Sequence, residues 1–497
     1  MTSKKDFFNH ITQGHTFKGD SIILGAATLD QKTLTNAFVK VPLKTMNRHG
    51  LIAGATGTGK TKTLQVLAEQ LSENGVPVVL MDIKGDLSGL AKSSPGHPKI
   101  DERHKAIGLP FEPKKFPVEF FSISEQNGVR LRATISEFGP VLISRILNLT
   151  ETQSGIVAVI FKYCDDHQLP LLDLKDFKAM LNFATSEGKE KFQGEYGRIS
   201  KTSTGAILRR VVALEQQGAE LFFGEESFEV KDFERTTNDG QGYINIIRLD
   251  DVQNRPKLFS TFMLCLLAEL FETFPEEGDL DKPKLVLFID EAHLIFNEAS
   301  KKLLHQIEYT IKLIRSKGIG IYFVTQNPTD VPEQVLGQLG LKIQHALRAF
   351  TAKDRKTIKL TAQNYPDTTF FDTETTLTSM GIGEALVTAL DEKGRPTPLT
   401  ATLMRAPKSQ MDILSPQELS ALMKTSQLSE KYNKTIDRES AYELLGAKIK
   451  KINAAKPKQK TKQTSYRRKS QRQNPIVKVL TSATFIRAVF GILKKVV

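Results

Sequence analysis

The chain is poor in cysteine. Only two of its 497 residues are cysteines, Cys164 and Cys265, and each lies beside apolar residues. Two isolated cysteines provide neither the spacing of a zinc site nor the framework of a disulfide-stapled domain. The sequence therefore predicts no thiolate metal centre and favours a reducing compartment.

The chain also lacks a long uncharged apolar run. No stretch of about 20 such residues occurs, so we expect no membrane-spanning helix. Residues 1–15 contain no continuous apolar segment of the kind that a signal peptide needs, which predicts a cytoplasmic protein. The charged and apolar contents, 25% and 40%, are ordinary for globular proteins. The length predicts two or more domains, or one core with large insertions.

Acidic residues are missing from the last 50 positions. Residues 448–497 hold fifteen Lys or Arg and no Asp or Glu. The net charge of +13 belongs to this tail, because the preceding 447 residues carry 54 basic and 56 acidic side chains. A basic chain usually favours a nucleic-acid partner, but this distribution says little about what the body of the protein contacts.

The tail has two parts. Residues 448–475 are rich in Lys, Arg, Gln and Ser, and we expect a basic disordered linker. Residues 476–497 place apolar side chains at helical spacing, which predicts an amphipathic helix. Such a tail suits an anionic membrane surface, a groove on a protein partner, or nucleic acid, and all three stay open. A peripheral membrane location through the tail is therefore one alternative.

One glycine-rich segment has the pattern of a phosphate-binding loop. Residues 51–53 form a short apolar run, a G-x-x-x-x-G-K-[ST] sequence follows, and residues 63–71 are apolar at helical spacing. Strand, glycine loop and helix in this order direct backbone N–H groups at phosphates. We expect Lys60 to reach the β- and γ-phosphates of ATP, and Thr61 to bind Mg²⁺. The candidate nucleotide-binding residues are Gly54, Ala55, Thr56, Gly57, Thr58, Gly59, Lys60, Thr61 and Lys62.

A second segment far downstream completes a hydrolytic pattern. Residues 285–289 are five apolar positions, and Asp290 and Glu291 follow at once. Asp290 at a strand end can hold Mg²⁺ through water, and Glu291 can orient the attacking water or accept its proton. An acidic strand end without a catalytic role is the alternative. The order of the two segments along the chain favours hydrolysis.

Three more polar side chains follow predicted buried strands. Asp82 and Lys84 come after residues 77–81, and Gln326 follows residues 320–325. In α/β sheets, ligands bind at the carboxyl ends of strands. Gln326 is thus a candidate to hydrogen-bond the γ-phosphate or the lytic water, while Asp82 and Lys84 are candidates for supporting contacts. Ordinary turn residues are the alternative for all three.

The patterns along the chain predict an α/β fold with an insertion. We expect a short β segment at 1–46, the nucleotide-binding core at 47–95 and 241–410, a mostly helical insertion at 96–240, and a helical segment at 411–447. Arg48 and His49, which open the core, either approach a nucleotide or a neighbouring subunit, or lie in a solvated loop.

These segments resemble a known family. Together with residues 82–86 and 324–328, the two nucleotide motifs make the chain similar to P-loop ATPases of the HerA/FtsK type, and within them to bacterial HerA-like ATPases of unestablished role. The resemblance covers roughly residues 15–445. Other segments similar to that group are 47–54, 152–155, 313–318 and 344–350.

The resemblance implies a RecA-like (ASCE) P-loop NTPase core that uses ATP and Mg²⁺. It also implies a homo-oligomeric ring, commonly a hexamer, that hydrolyses ATP between subunits and moves DNA or protein through its pore. The family places an arginine near the neighbour's γ-phosphate. Arg315 is the first position for this role and Arg355 the second, and a surface salt-bridging arginine is the alternative for each.

Two functions stay open from the sequence. The first is an ATP-driven motor with Lys60, Glu291, Gln326, Arg315 and Arg355 as catalytic residues and DNA as the expected substrate. The second is an ATP-dependent switch or scaffold that the tail recruits to a partner or membrane. Glu291 favours turnover. The near-neutral body favours the scaffold. About 46 residues precede the glycine-loop strand, so we expect the β-barrel of HerA proper to be reduced or absent, which counts against DNA translocation.

Overall fold

The computed structural model of the protein describes residues 4–298, 301–434, 436 and 438–447. The expected basic linker and amphipathic helix of the tail lie outside the described residues. The chain divides into two compact units. Of the described residues, the first unit contains those up to Arg130, Phe228–Pro256 and Leu266–Asn433, and the second contains Leu131–Ser227, Lys257–Cys265 and those after Asn433.

The first unit is built on one twelve-stranded sheet. Its strands are β1 (Ser21–Leu29), β2 (Lys32–Pro42), β3 (Gly50–Ala53), β4 (Val78–Asp82), β5 (Val118–Ser122), β6 (Val129–Arg130), β7 (Ile244–Arg248), β8 (Leu285–Ile289), β9 (Ile319–Thr325), β10 (Leu341–His345), β11 (Glu384–Thr388) and β12 (Thr400–Met404). The strand order is β2-β1-β12-β11-β10-β3-β9-β8-β4-β7-β5-β6.

The sheet has a parallel half and an antiparallel extension. The strands from β10 to β6 in this order run parallel to one another. Strands β11, β12, β1 and β2 continue the sheet with antiparallel pairs. Because parallel strands end at the same edge, the loops after β3, β4, β8, β9 and β10 meet there. The expected antiparallel closure by residues 381–387 and 398–403 is confirmed in β11 and β12.

Continuous apolar runs account for the central strands. Every residue of β3, β4, β8 and β9 is buried, as expected for parallel strands that helices cover on both faces. Helix α2 supplies part of this cover, because Leu64, Leu67 and Leu71 repeat at helical spacing and lie in the main hydrophobic core. The helix stops before Gly75, which adopts a left-handed φ of +70°.

Helices connect the strands and form the second unit. They are α1 (Lys4–Gly14), α2 (Lys60–Glu73), α3 (Pro98–Ile107), α4 (Ile135–Ile146), α5 (Glu151–Asp166), α6 (Leu174–Thr185), α7 (Lys189–Glu195), α8 (Lys201–Glu215), α9 (Pro256–Thr273), α10 (His293–Glu298), α11 (Lys301–Ile314), α12 (Glu333–Leu336), α13 (Ala352–Ala362), α14 (Thr373–Ser379), α15 (Pro416–Lys424) and α16 (Gln427–Tyr432). No helix in the described ranges is long and apolar enough to cross a bilayer.

The second unit contains α4–α8. Thr134, Thr150 and Asp173 begin α4, α5 and α6 with capping boxes, which satisfy backbone N–H groups at each helix start. Its core is aromatic: Tyr163 and Phe192 stack with ring centroids 4.3 Å apart. The expected helical character of this region therefore has a local cause in caps and apolar spacing.

The boundaries differ from those expected at two places. The helical insertion of 96–240 narrows to about 131–227, because β5 and β6 pair with the sheet instead of leaving it. The β lead-in of 1–46 begins with α1, in which Phe7 and Ile11 are buried one helical turn apart. The C-terminal helical segment of 411–447 contains α15, α16 and a last helical stretch at 441–447.

Candidate nucleotide site

The glycine loop joins β3 to α2 at the carboxyl edge of the sheet. Gly54, Gly57 and Gly59 have φ values of +150°, +76° and +115°, which side chains with a Cβ rarely adopt. A Cβ on Gly54 would lie 2.5 Å from the Cβ of His345, so only glycine fits there. Thr56 and Gly57 are exposed at the tip. The loop is therefore shaped as the sequence predicts for a phosphate site.

Lys60 points its ammonium group into this loop. Its Nζ donates to the carbonyl oxygens of Gly54 at 2.7 Å and Ala55 at 3.2 Å. The side chain is buried, and burial lowers the pKa of Lys60, as does the neighbouring charge of Lys84. The acids Glu291 and Asp290 oppose this shift of the pKa. The loop thus holds one cation beside two carboxylates that come from a different strand.

Asp290 and Glu291 follow β8 directly and are both buried. Burial and the charge of Glu291 raise the pKa of Asp290, Lys84 lowers it, and the net result is a pKa of about 6. Glu291 has a φ of +46°, a left-handed conformation that is uncommon outside glycine. The backbone therefore turns sharply at the residue predicted to activate water.

Lys84 is the ion-pair partner of Glu291. Its ammonium contacts Glu291 Oε1, while His293 Nδ1 lies 3.1 Å from Glu291 Oε2. Within the described part of the chain, neither carboxylate oxygen accepts a hydrogen bond of good geometry. A buried carboxylate with unused acceptor capacity is suited to a water or cation ligand.

The sequence left supporting roles for Asp82 and Lys84 open, and the structure separates the two residues. Asp82 accepts hydrogen bonds from the backbone N–H groups of Gly85 at 2.7 Å and Leu87 at 3.2 Å. It is a buried turn residue, and burial raises its pKa to about 7. Lys84 extends instead toward the acids that follow β8. Only Lys84 therefore joins the site.

Thr61 and Asp290 are the residues that could hold Mg²⁺. Thr61 Oγ1 lies 3.3 Å from Asp86 Oδ2, and the other oxygen of Asp86 is buried without a hydrogen bond among the described residues. Those residues contain no cluster of three or more His, Cys, Asp or Glu that could hold a metal alone. A hydroxyl and one or two carboxylates fit a magnesium ion whose other ligands are phosphates and water.

Gln326 follows β9, the strand between β3 and β8. Thr325 pairs in register with Ala53, so Gln326 begins where the glycine loop begins. Its side chain is exposed. Thr325 Oγ1 donates to Asp330 Oδ2 at 2.6 Å, which fixes the turn after the strand. The structure therefore places Gln326 at the edge of the sheet shared by both nucleotide motifs.

Arg315 and Arg355 lie at different edges of the sheet. Arg315 is exposed in the turn before β9, at the amino ends of the parallel strands. Partial burial and the charge of Arg48 lower the pKa of its guanidinium. It is therefore at the opposite edge from the glycine loop of its own chain. Arg355 is exposed on α13, which follows the carboxyl end of β10. Among the described residues, neither guanidinium forms a hydrogen bond or an ion pair with the glycine loop.

The Lys62 side chain extends away from the glycine loop. Its Nζ donates to the carbonyl oxygen of Met411, away from the loop, and burial lowers its pKa. Only its backbone N–H, in the first turn of α2, remains directed toward the phosphate side. The prediction that Lys62 binds nucleotide therefore rests on its backbone N–H, while its side chain holds the later segment.

His345 is a site residue that the motifs did not single out. Its Nδ1–H donates to the carbonyl oxygen of Glu384 at 2.9 Å, so its Nε2 accepts from Thr63 Oγ1 at 2.9 Å. Burial lowers the pKa of His345 to about 4, which keeps the ring neutral. The residue lies in the segment 344–350, whose family similarity was its only signal. His345 holds the first turn of α2 against the sheet.

His49 is structural. It is 2% exposed, its Nε2–H donates to the carbonyl of Ile311 at 2.8 Å, and its Nδ1 accepts the N–H of Ile321 at 3.0 Å. It precedes β3 and so lies at the amino end, away from the glycine loop. The expectation that His49 approaches a nucleotide or a neighbouring subunit, or else lies in a solvated loop, is wrong, because its ring is enclosed within the chain.

Curated relatives share the sequence at low identity. The chain is 22% identical over 363 residues to the DNA double-strand break repair helicase HerA of Sulfolobus acidocaldarius, covering 71% of this chain and 64% of that protein. It is 25% identical over 376 residues to the DNA import protein CedB of the same organism, covering 75% and 55%. The chain thus spans less than two thirds of the length of these relatives.

The fold is that of a known solved structure. The bacterial conjugative coupling protein TrwBdeltaN70 superposes with a TM-score of 0.52 at 15% identity, over 82% of this chain and 95% of that one. The expected RecA-like P-loop NTPase core is confirmed. The family described as Helicase HerA-like C-terminal matches residues 28–487, which is most of the sequence, and the chain therefore belongs to that family.

Proposed function

We propose that this chain is a Mg²⁺-dependent ATPase that acts as a motor on DNA. The observation that carries the proposal is the meeting of Lys60, Thr61, Asp290 and Glu291 at one edge of the sheet, from two strands separated by β9. A phosphate loop alone would support binding only. The buried carboxylates beside its lysine supply what hydrolysis needs in addition.

The residues of the site divide the chemistry of ATP hydrolysis among them. Backbone N–H groups of residues 54–62 and the Lys60 ammonium bind the phosphates of ATP. Thr61 and Asp290 would hold Mg²⁺, which when bound neutralises charge on the β- and γ-phosphates. Glu291 accepts the proton of the attacking water, and Lys84 orients its carboxylate through their ion pair. Gln326 hydrogen-bonds the γ-phosphate or that water.

The site is completed by a second copy of the chain. Arg315 is exposed at the edge opposite its own glycine loop, which suits a guanidinium that acts on the next subunit of a ring. Arg355 is the second candidate for this role. A trans-acting arginine can supply roughly 10³–10⁵-fold in rate. We propose a homo-oligomer, for which a hexamer is the family expectation.

DNA is the proposed substrate because the relatives named above are a DNA-repair helicase and a DNA import protein. We place the protein in the cytoplasm. The basic tail of 448–497 is proposed as a contact for DNA, an anionic membrane surface or a protein partner. The switch or scaffold alternative is less favoured, because Glu291 and its partner Lys84 form a site built for turnover.

The test is phosphate release from ATP, with and without duplex DNA. We expect Lys60→Ala to abolish nucleotide binding, and Glu291→Gln to keep binding while it lowers turnover by about 10²–10⁴-fold. Glu333→Gln, at an exposed acid, is the matched control. Full ATP turnover in Glu291→Gln would contradict the assignment of Glu291 as the base. Wild-type ATPase activity that DNA does not stimulate would contradict the proposed action on DNA.

A further inference from the structure

Helix α13 presents an exposed row of lysines, which we call the basic face. It consists of Lys353, Lys356 and Lys359, spaced three residues apart, and all three side chains are exposed. Among the residues that the structure describes, no carboxylate forms an ion pair with them. The single acid of α13, Asp354, is used at the helix start, where it accepts the N–H of Phe350 at 3.0 Å and of Thr351 at 2.7 Å. The basic face therefore retains its positive charge.

An exposed aromatic ring precedes the basic face. Phe350 is 87% exposed, the highest value among the exposed large apolar side chains, and Arg348 beside it is also exposed. Leaving a phenylalanine in water forgoes its burial, and a ring exposed beside cations is free to stack on a base. Cations along a helix with an aromatic ring at one end match a charged polymer that carries flat apolar groups.

The other side of α13 is firmly packed. Ile358 and Thr361 are buried, and Ile358 belongs to a small core with Ala346, Leu377 and Tyr365. The basic face is therefore held on a rigid element and not on a loop tip.

Helix α13 is connected to two parts of the nucleotide site, the turn after Gln326 and the glycine loop. α13 packs against the 3₁₀ turn Pro328–Asp330, which begins two residues after Gln326. The segment between β10 and α13 starts at Ala346, whose carbonyl oxygen accepts the N–H of Ala55 in the glycine loop at 2.9 Å. A small displacement of α13 on ligand binding can thus be transmitted to Gln326 through the 3₁₀ turn. It can also be transmitted to the glycine loop through the end of β10.

We propose that the basic face and Phe350 bind the sugar-phosphate backbone and a base of a nucleic-acid strand, and that this contact stimulates ATP hydrolysis through the turn after Gln326. The inference rests on the proposed ATPase function and assigns its polymer contact. Nucleic acid is favoured over an acidic surface of another copy because the body of the chain has balanced charge and the cluster combines cations with an unburied ring.

The test compares two triple variants of the full chain. Lys353→Gln, Lys356→Gln and Lys359→Gln together remove the basic face. Lys99→Gln, Lys105→Gln and Lys115→Gln together remove three exposed lysines elsewhere in the same unit as a matched control. Basal ATPase activity, its stimulation by a DNA oligonucleotide, and DNA affinity as a function of salt are measured for each. Phe350→Ser is measured in parallel.

We expect both triple variants to keep basal ATPase activity. The α13 variant should lose most of the DNA stimulation, and the slope of log affinity against log salt should fall by about 2, since each lost phosphate contact removes about 0.7–0.9. Phe350→Ser should weaken the binding of single-stranded DNA and leave the salt slope nearly unchanged, because it removes a stacking contact and no charge. The control variant should retain the stimulation.

Three results overturn the inference. Full stimulation in the α13 variant assigns the DNA contact elsewhere, with the tail as the next candidate. Equal losses in both triple variants reduce the effect to overall charge. A change of oligomeric state in the α13 variant alone makes the surface an interface between copies. Absence of ATPase activity in the wild type contradicts the proposed function instead, so the two failures are distinguishable.

Discussion

Lys84 is the residue that links the two acids after β8 to the strand beside them. It follows β4, contacts Glu291, and lowers the pKa of the neighbouring Asp290. Burying a carboxylate without a counter-charge costs free energy. Lys84 supplies that counter-charge to Glu291 through their ion pair. The Lys84 side chain is 37% exposed. We therefore expect its ion pair to contribute little to overall stability. Its contribution to catalysis is the quantity to measure.

Lys84→Met is therefore expected to lower kcat for ATP by about tenfold, with little change in KM, because the variant loses the group that holds Glu291. Steady-state kinetics at saturating Mg²⁺ measure both constants. Lys44→Met is the control, since Lys44 pairs with Asp281 at 3.8 Å away from the site. A raised KM with unchanged kcat would mean that Lys84 binds nucleotide instead.

His49 makes stability depend on pH. Burial lowers its pKa from 6.5 to about 4 in the folded protein. Between these values the unfolded chain binds a proton more readily than the folded chain does. The contribution of His49 is therefore complete above pH 6.5 and is lost as the pH falls toward 4.

We expect the stability gap between wild type and His49→Gln to narrow by about 2 kcal/mol from pH 7.5 to pH 5, because only the wild type loses this contribution. Urea unfolding at the two pH values measures the gap. His10→Gln, at an exposed histidine, is the control. A constant gap would show that His49 does not titrate between the two states.

At the scale of elements, a late segment of the chain fastens the nucleotide helix. Residues 405–414, which we call the C-terminal strap, lie along α2. Glu69 accepts the N–H of Lys408 at 2.8 Å and of Ser409 at 2.9 Å, and Lys408 pairs with Glu73 at 2.9 Å. Gln65 donates to the carbonyl of Gln410 at 3.3 Å. The strap thus follows one polar stripe of the helix.

Glu69→Ala should destabilise the protein by about 2–4 kcal/mol, because it leaves buried backbone N–H groups of the strap without an acceptor. Glu102→Ala, at an exposed acid on α3, should change stability by less than about 0.5 kcal/mol. Thermal unfolding of the two variants against wild type provides the comparison. Equal shifts in both would contradict the role of the strap.

Elements that are local in the sequence could be predicted, and their order in the sheet could not. The runs at β3, β8 and β9 are continuous, so each strand and its terminal motif could be identified. The pairing of Gly25 with Met404 joins residues far apart in the chain, and no local pattern indicates it. The same limit explains β5: its assignment to the sheet instead of the insertion depends on its register with β7.

The site divides in the same way. Lys60, Thr61, Asp290 and Glu291 could be predicted because each lies in a contiguous motif whose spacing carries its chemistry. The Lys84–Glu291 pair and the contact between His345 and Thr63 depend on strand order, so residue type alone could not indicate them. His49 was misjudged for a related reason: its flanking residues are polar, but tertiary packing encloses its ring.

At the scale of the molecule, the proposed catalytic groups lie at opposite edges of one sheet. The glycine loop lies at the carboxyl edge of the sheet and Arg315 at the amino edge. A side chain cannot cross the sheet, so any role of Arg315 in hydrolysis requires another copy.

Mixing two inactive variants should therefore restore activity. Lys60→Ala keeps the arginine, and Arg315→Ala keeps the glycine loop. In a randomly mixed ring, about a quarter of the interfaces combine an intact loop with an intact arginine. ATPase activity measured after co-refolding or co-expression should rise clearly above either variant alone. No recovery in rings shown to be mixed would assign Arg315 a role other than one across the interface.

The left-handed backbone at Glu291 has a consequence for how the protein can be improved. A glycine at a φ of +46° would relieve strain of about 1 kcal/mol and would also remove a negative charge next to buried Asp290. Loss of the base and gain of stability thus coincide at one codon. A screen that selects only for heat resistance should enrich proteins that still bind nucleotide and no longer turn it over.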